Sequence, residues 1–136
     1  MIIIIKVLLG IGAVLLIDLV VARFNKKPKI IYKDRLIKNY NAQTMPPFFI
    51  RIQEEDKDNK VLLKHELVHW EQYRKTGALI FNSRYFLEKL IYGYDKMPME
   101  IEARKLSGEK EECITNYTEC VRDGRSNTIV DPEFRT

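Results

Sequence analysis

The apolar positions of this chain fall into two regimes. Residues 2–22 (IIIIKVLLGIGAVLLIDLVVA) are almost unbroken. A helix of that length at 1.5 Å per residue spans roughly 31 Å, close to a bilayer core of about 30 Å. Lys6 lies near its start, where a long side chain can snorkel to the interface. Asp18 lies inside the stretch. A charge costs about 2–3 kcal/mol at the bilayer centre and less towards the end, where Asp18 sits. The bland alternative is a core helix or strand of a soluble domain, with Ile2–Ile5 paired in a sheet. It asks a small domain to bury more apolar residues in one segment than its core holds.

The rest of the chain is polar, with short periodic stretches. Lys29–Lys33 and Phe48–Ile52 read as strands, separated by the chain-breaking pair Pro46-Pro47. Glu54–Asn59 is a charged turn with Asn59 as an N-cap. Lys60–Thr76 then predicts a helix, with Leu63, Leu67 and Trp70 at i, i+4 and i+7 and Gly77 as its stop. A second helix is expected from the Asn82-Ser83 cap through Ile91, ended by Gly93. Pro98 suits the first turn of a third, Met99–Leu106. Beyond Ser107 a short helix around Glu109–Val121 is expected, then a loose tail. The implied layout is a transmembrane anchor at 1–22, a basic juxtamembrane linker at 23–29, one α+β domain with a small sheet at 30–121, and a flexible tail at 122–136.

Composition narrows the class. With 136 residues, 46% hydrophobic and 31% charged, disorder throughout and a large two-domain enzyme are both excluded. The formal net charge of +4 is explained by its placement. Seven basic residues (Arg23, Lys26, Lys27, Lys29, Lys33, Arg35, Lys38) crowd residues 23–40 against one acid, Asp34. That asymmetry predicts a domain on the cytoplasmic side, with the cluster against anionic headgroups and no nucleic-acid partner. A signal peptide cut after Ala22 is the alternative, and the positive charges that follow oppose translocation. Cys113 and Cys120 stand about 10 Å apart if one helix carries both, too far for a disulfide; in a loop they can pair. A cytoplasmic domain would keep them reduced.

The chemistry sits in the Lys60–Thr76 helix. His65-Glu66-Leu67-Val68-His69 holds the only two histidines of the chain. Residues i and i+4 share a helix face, so both imidazoles reach one metal ion, and Glu66 is placed to take a proton from water that the metal acidifies. Chance gives this spacing, glutamate included, on the order of one time in a thousand. A catalytic zinc takes three protein ligands, so the third is an acid or a cysteine. The longer HExxHxxGxxH pattern is excluded by Gln72 and Lys75. Glu100, in a helix first turn, is the best candidate. Glu102 is two residues on and faces another side.

His65–His69 with the later Glu100-Ile101-Glu102-Ala103 resembles the zincin metallopeptidases that complete an HExxH site with a downstream glutamate. KHELVHWEQYRKTG with MPMEIEARK resembles small zincin-like proteins of bacteria and phages. The resemblance covers residues 48–106. It implies a compact zincin-like domain, one Zn²⁺ on His65, His69 and Glu100, Glu66 as general base, and a peptide or protein substrate. Glu102 is the fallback ligand. Arg104 stands where related patterns carry Asp, which leaves the support of the histidines to another group, with Asp95 as a guess. Tyr73, Tyr92, Tyr94 and Arg104 are candidate donors to an oxyanion. The Phe48–Ile52 strand is a candidate for aligning an extended peptide by edge pairing. The rival reading is a non-catalytic zincin-like binding or structural module tethered to the membrane, its metal stabilising a small domain. An intact Glu66 favours the enzyme. A membrane-tethered interaction protein without metal is the third reading.

Overall fold

The computed structural model describes residues 1–34 and 41–128. It is α+β, with five helices and a three-stranded sheet among the described residues. Arg35 and Lys38 of the basic cluster, and the end of the predicted tail, lie outside the described residues.

Helix α1 (Ile2–Phe24) is long and apolar enough to cross a membrane. Residues 1–14 are exposed, and the C-terminal part of the helix is docked on the domain. Ala22 is fully buried. Asn25 follows at once, and its carbonyl accepts from Trp70 Nε1 at 3.1 Å while its amide donates to the Pro47 carbonyl at 2.7 Å. The basic segment therefore starts pinned rather than slack.

Strands β1 (Lys29–Lys33), β2 (Ala42–Met45) and β3 (Phe49–Gln53) form a sheet of order β1-β3-β2. β3 pairs parallel with β1 and antiparallel with β2. β2 was not expected from the sequence. Central β3 buries Ile50 and Ile52 on one face against α2, by the strand alternation. Since β3 is hydrogen-bonded on both sides, the expectation that Phe48–Ile52 offers an edge to a peptide is corrected. Among the described residues the free edges belong to β1 and β2.

Helix α2 (Lys60–Thr76) has the predicted bounds, and Asn59 Oδ1 caps it by accepting from the Leu62 amide at 3.0 Å. Helix α3 (Ala78–Tyr92) begins four residues before the expected cap. Asn82 does not cap it; its amide bonds back to the Ala78 carbonyl. The cap comes instead from Asp18, whose carboxylate accepts from the Ala78 and Leu79 amides at 3.0 and 2.9 Å. Gly77 makes the approach possible. Its φ is +86°, and a Cβ there would stand 2.5 Å from Asp18 Oδ2. The carboxylate that looked like a cost inside an apolar helix is thus spent on two otherwise orphaned N–H groups.

Helix α4 (Pro98–Ser107) also lacks a local cap. Its Met99 amide donates to Glu88 Oε2 of α3 at 2.8 Å. After Gly108, in the left-handed conformation, the chain makes a 3-10 turn (Glu111–Cys113) and helix α5 (Tyr117–Arg122) in place of one continuous helix. That break brings the Cα atoms of Cys113 and Cys120 to 5.5 Å, and the two are disulfide-bonded. Within the segment expected as tail, residues 122–124 are exposed and residues 126–128 pack back on the chain. Glu109 gathers the Asn127 amide at 2.8 Å and Ser126 Oγ at 2.7 Å, and Thr128 is buried beside them.

Two outcomes follow. Asp18→Ala is expected to lower stability by about 1 kcal/mol, and Gly77→Ala by more, in thermal denaturation of the micellar protein followed by circular dichroism. Burial pushes Glu109 up, but the amides of Asn127 and Lys110 and the Ser126 and Thr128 hydroxyls outweigh it and hold the carboxyl below its ordinary value. A lowered folded pKa contributes stability that is present above the unfolded pKa and is lost as pH falls through the folded one. Glu109→Gln, which keeps one acceptor oxygen, is expected to cost about 1–3 kcal/mol at neutral pH and to flatten the loss of stability below about pH 4.

Candidate metal centre

His65 and His69 come from the second and third turns of α2 and point into the seam with α3 and α4. The i, i+4 spacing stacks them on the buried face, their rings edge to face with centroids 4.8 Å apart. Glu100 enters from the first turn of α4. Its place there is fixed twice, by Pro98 at the helix start and by the Glu88 cap on Met99.

The three side chains converge. His65 Nε2 lies 3.2 Å from Glu100 Oε2, His69 Nε2 lies 3.2 Å from Glu100 Oε1, and the two Nε2 atoms are 3.2 Å apart. All three residues are buried. Burial alone would push His69 down. The Glu100 carboxylate outweighs it and raises His69 to about 9, while Glu100, which burial would push up, is held well below the ordinary carboxylate range chiefly by His69. Nitrogen and oxygen donors packed this closely in a low-dielectric seam form a group that can hold a metal ion.

Each member has a support. His69 Nδ1 is 2.8 Å from Gln72 Oε1, and the Gln72 amide donates to the Met99 carbonyl and to Glu102 Oε2. With Gln72 accepting, His69 donates from Nδ1, which fixes the ring with Nε2 facing the cluster. Tyr85 of α3 donates to Glu100 Oε1 at 2.7 Å. Glu66 is buried on α2, and Thr44 of β2 donates to its Oε2 at 2.6 Å. Among the described residues His65 Nδ1 is buried without a hydrogen-bond partner.

The sequence-derived candidates sort accordingly. His65, His69 and Glu100 are brought together, with Glu66 beside them. Glu102 is exposed and bonded to Gln72, which takes it away from the cluster. Asp95 does not support a histidine; its carboxylate accepts from the amide and hydroxyl of Thr118 at the start of α5. Arg104 is fully buried, bonded to the carbonyls of Tyr94, Asp95 and Ile114, with its Cζ 4.9 Å from the Tyr94 ring centroid and 4.4 Å from that of Tyr117. It stands 3.6 Å from Glu100 Oε2, so it braces that carboxylate electrostatically. Tyr73 is a core residue packed on Trp70, and Tyr92 is exposed at the end of α3.

Gln72, Tyr85 and Thr44 were missed. Gln72 carried a usable signal, three residues after His69 on the same helical face. Tyr85 and Thr44 sit on elements whose placement depends on long-range contacts, and nothing local marks them.

A scan against protein-family models finds no match to this chain, and searches of curated proteins and of solved structures find none either.

Proposed function

We propose that the chain is a membrane-anchored zinc-dependent metallopeptidase, with one Zn²⁺ on His65, His69 and Glu100 and Glu66 as general base. The observation that carries this reading is the donor spacing. Zinc bonds of 2.0–2.1 Å at tetrahedral angles set ligand atoms about 3.3 Å apart; here the two Nε2 atoms are 3.2 Å apart, and each lies 3.2 Å from one oxygen of the Glu100 carboxylate, Oε2 for His65 and Oε1 for His69. A zinc ion held there supplies a Lewis acid and lowers the pKa of a water molecule. Gln72 fixes the His69 tautomer, Tyr85 and Arg104 hold Glu100, and Thr44 orients Glu66. Glu66 then accepts the proton of the attacking water at a carboxylate oxygen and returns it to the leaving amine. The free edge of β2, which carries Thr44, is the strand against which an extended peptide would align. The depth of the cluster favours the second reading, a structural metal in a non-catalytic module.

Elemental analysis of the full chain in detergent separates them. Wild type and Glu66→Gln are expected to carry one zinc per chain, and His65→Ala and Glu100→Gln to lose it. Hydrolysis of a peptide library is expected to fall by about 10²–10⁴-fold in Glu66→Gln. Zinc retained with no hydrolysis by wild type gives the structural module; no zinc at equimolar protein overturns both readings.

The basic cluster supports a domain on the cytoplasmic side of the anchor. The Cys113–Cys120 disulfide supports the other side, since such bonds persist in oxidising compartments. Alkylation of intact cells and of lysates, read on non-reducing gels, decides. The cytoplasmic placement expects both cysteines to alkylate without reductant after lysis; protection until reductant is added places the domain outside.

A further inference from the structure

Helix α3 presents two faces of opposite use. Phe81, Tyr85 and Glu88 turn inward, toward the core and the cluster. Leu79, Ile80, Phe86, Leu87, Leu90 and Ile91 turn outward and are exposed, Leu90 at 67% and Ile91 at 70%. Their spacing, i, i+1, i+7, i+8, i+11 and i+12, puts them on one side of the helix, with Ser83 on the same side between Ile80 and Phe86. An apolar stripe of this length on a helix otherwise flanked by Arg84 and Lys89 marks a surface meant to be covered.

The way α3 is attached says by what. Its first amides are bonded to Asp18, six residues before the end of α1. At 1.5 Å per residue the start of α3 is held about 9 Å back from the end of the apolar helix. If α1 spans a bilayer, that level lies at the boundary of acyl chains and headgroups. Two further aromatic side chains are exposed around the same junction. Phe24 ends α1, and Phe48 follows Pro47, whose carbonyl is bonded to Asn25. Lys26 and Lys27 are exposed beside them. Aromatic and basic residues at one level are the pattern of a membrane interface facing anionic lipid.

We infer that α3 is a second membrane element, lying in the lipid interface with its Leu79–Ile91 stripe in the acyl boundary. This rests on the reading of α1 as a membrane span. It makes the bilayer the outer wall of the helix whose inner face supplies Tyr85 to Glu100. An interfacial helix needs an apolar face, a charged flank and proximity to anionic headgroups, and α3 has all three.

The test uses the full chain in vesicles of phosphatidylcholine and phosphatidylglycerol in equal parts, with lipids brominated at shallow or deep acyl positions. Leu90→Trp and Ile11→Trp each add one exposed fluorophore; Trp70, fully buried, is the background measured in the unmodified chain. Ile11→Trp is expected to lose its added emission to deep bromine, and Leu90→Trp to shallow bromine, with both shielded from aqueous iodide. Leu90→Trp quenched by iodide and not by lipid, with Ile11→Trp still quenched by deep bromine, overturns the inference and leaves the anchor standing. Leu90→Trp shielded from both quenchers means that protein, a second copy, covers the stripe, and also overturns it. If neither position meets lipid, the anchor itself is refuted.

Discussion

The structure depends on carboxylates that cap helices from a distance. Neither α3 nor α4 carries a capping side chain at its own N-terminus. Their first amides would be left unpaired in a partly buried setting, at a cost of about 1–3 kcal/mol each. Asp18 of α1 satisfies α3, and Glu88 of α3 satisfies α4. A negative charge at a helix start also meets the favourable end of the macrodipole. Helix α4 in turn delivers Glu100 to the two histidines of α2. The order of dependence runs from the apolar N-terminal helix to the buried cluster through two helix starts.

Arg104 closes the arrangement from the far side. A buried guanidinium needs partners for its charge, and here its terminal nitrogens bond three backbone carbonyls while the Tyr94 and Tyr117 rings both contact it. These bonds tie α4 to the turn before it and to the disulfide-bearing segment after it. The loop after Gly108 is held in the same manner by Glu109, which gathers amides and hydroxyls from residues 126–128.

What the sequence revealed follows the range of the forces. Helix α2, its Asn59 cap and its Gly77 stop are local events, and local signals mark them. The histidine pair was legible because helical geometry alone puts i and i+4 side by side. The start of α3 was not, because its cap lies in α1, sixty residues earlier. β2 was not, because Ala42-Gln43-Thr44-Met45 lacks a strand pattern and is held by pairing with β3. The disulfide turned on a break after the 3-10 turn at Glu111–Cys113 that periodicity does not show. Glu100 could be preferred to Glu102 only as a candidate; the bond from Gln72 to Glu102 is what distinguishes them.

The pinning of Asn25 carries a consequence for reach. A tethered domain on a slack leash samples a hemisphere, and its working radius grows with the square root of the leash length. Here Trp70 and Pro47 grip the chain one residue past α1. The domain is thereby mounted rather than leashed: it keeps one position relative to α1 and turns only as that helix turns. Where α1 serves as a membrane span, any molecule that reaches the cluster must approach at one height and meet one fixed orientation, so distance from the lipid surface becomes a selection rule in its own right.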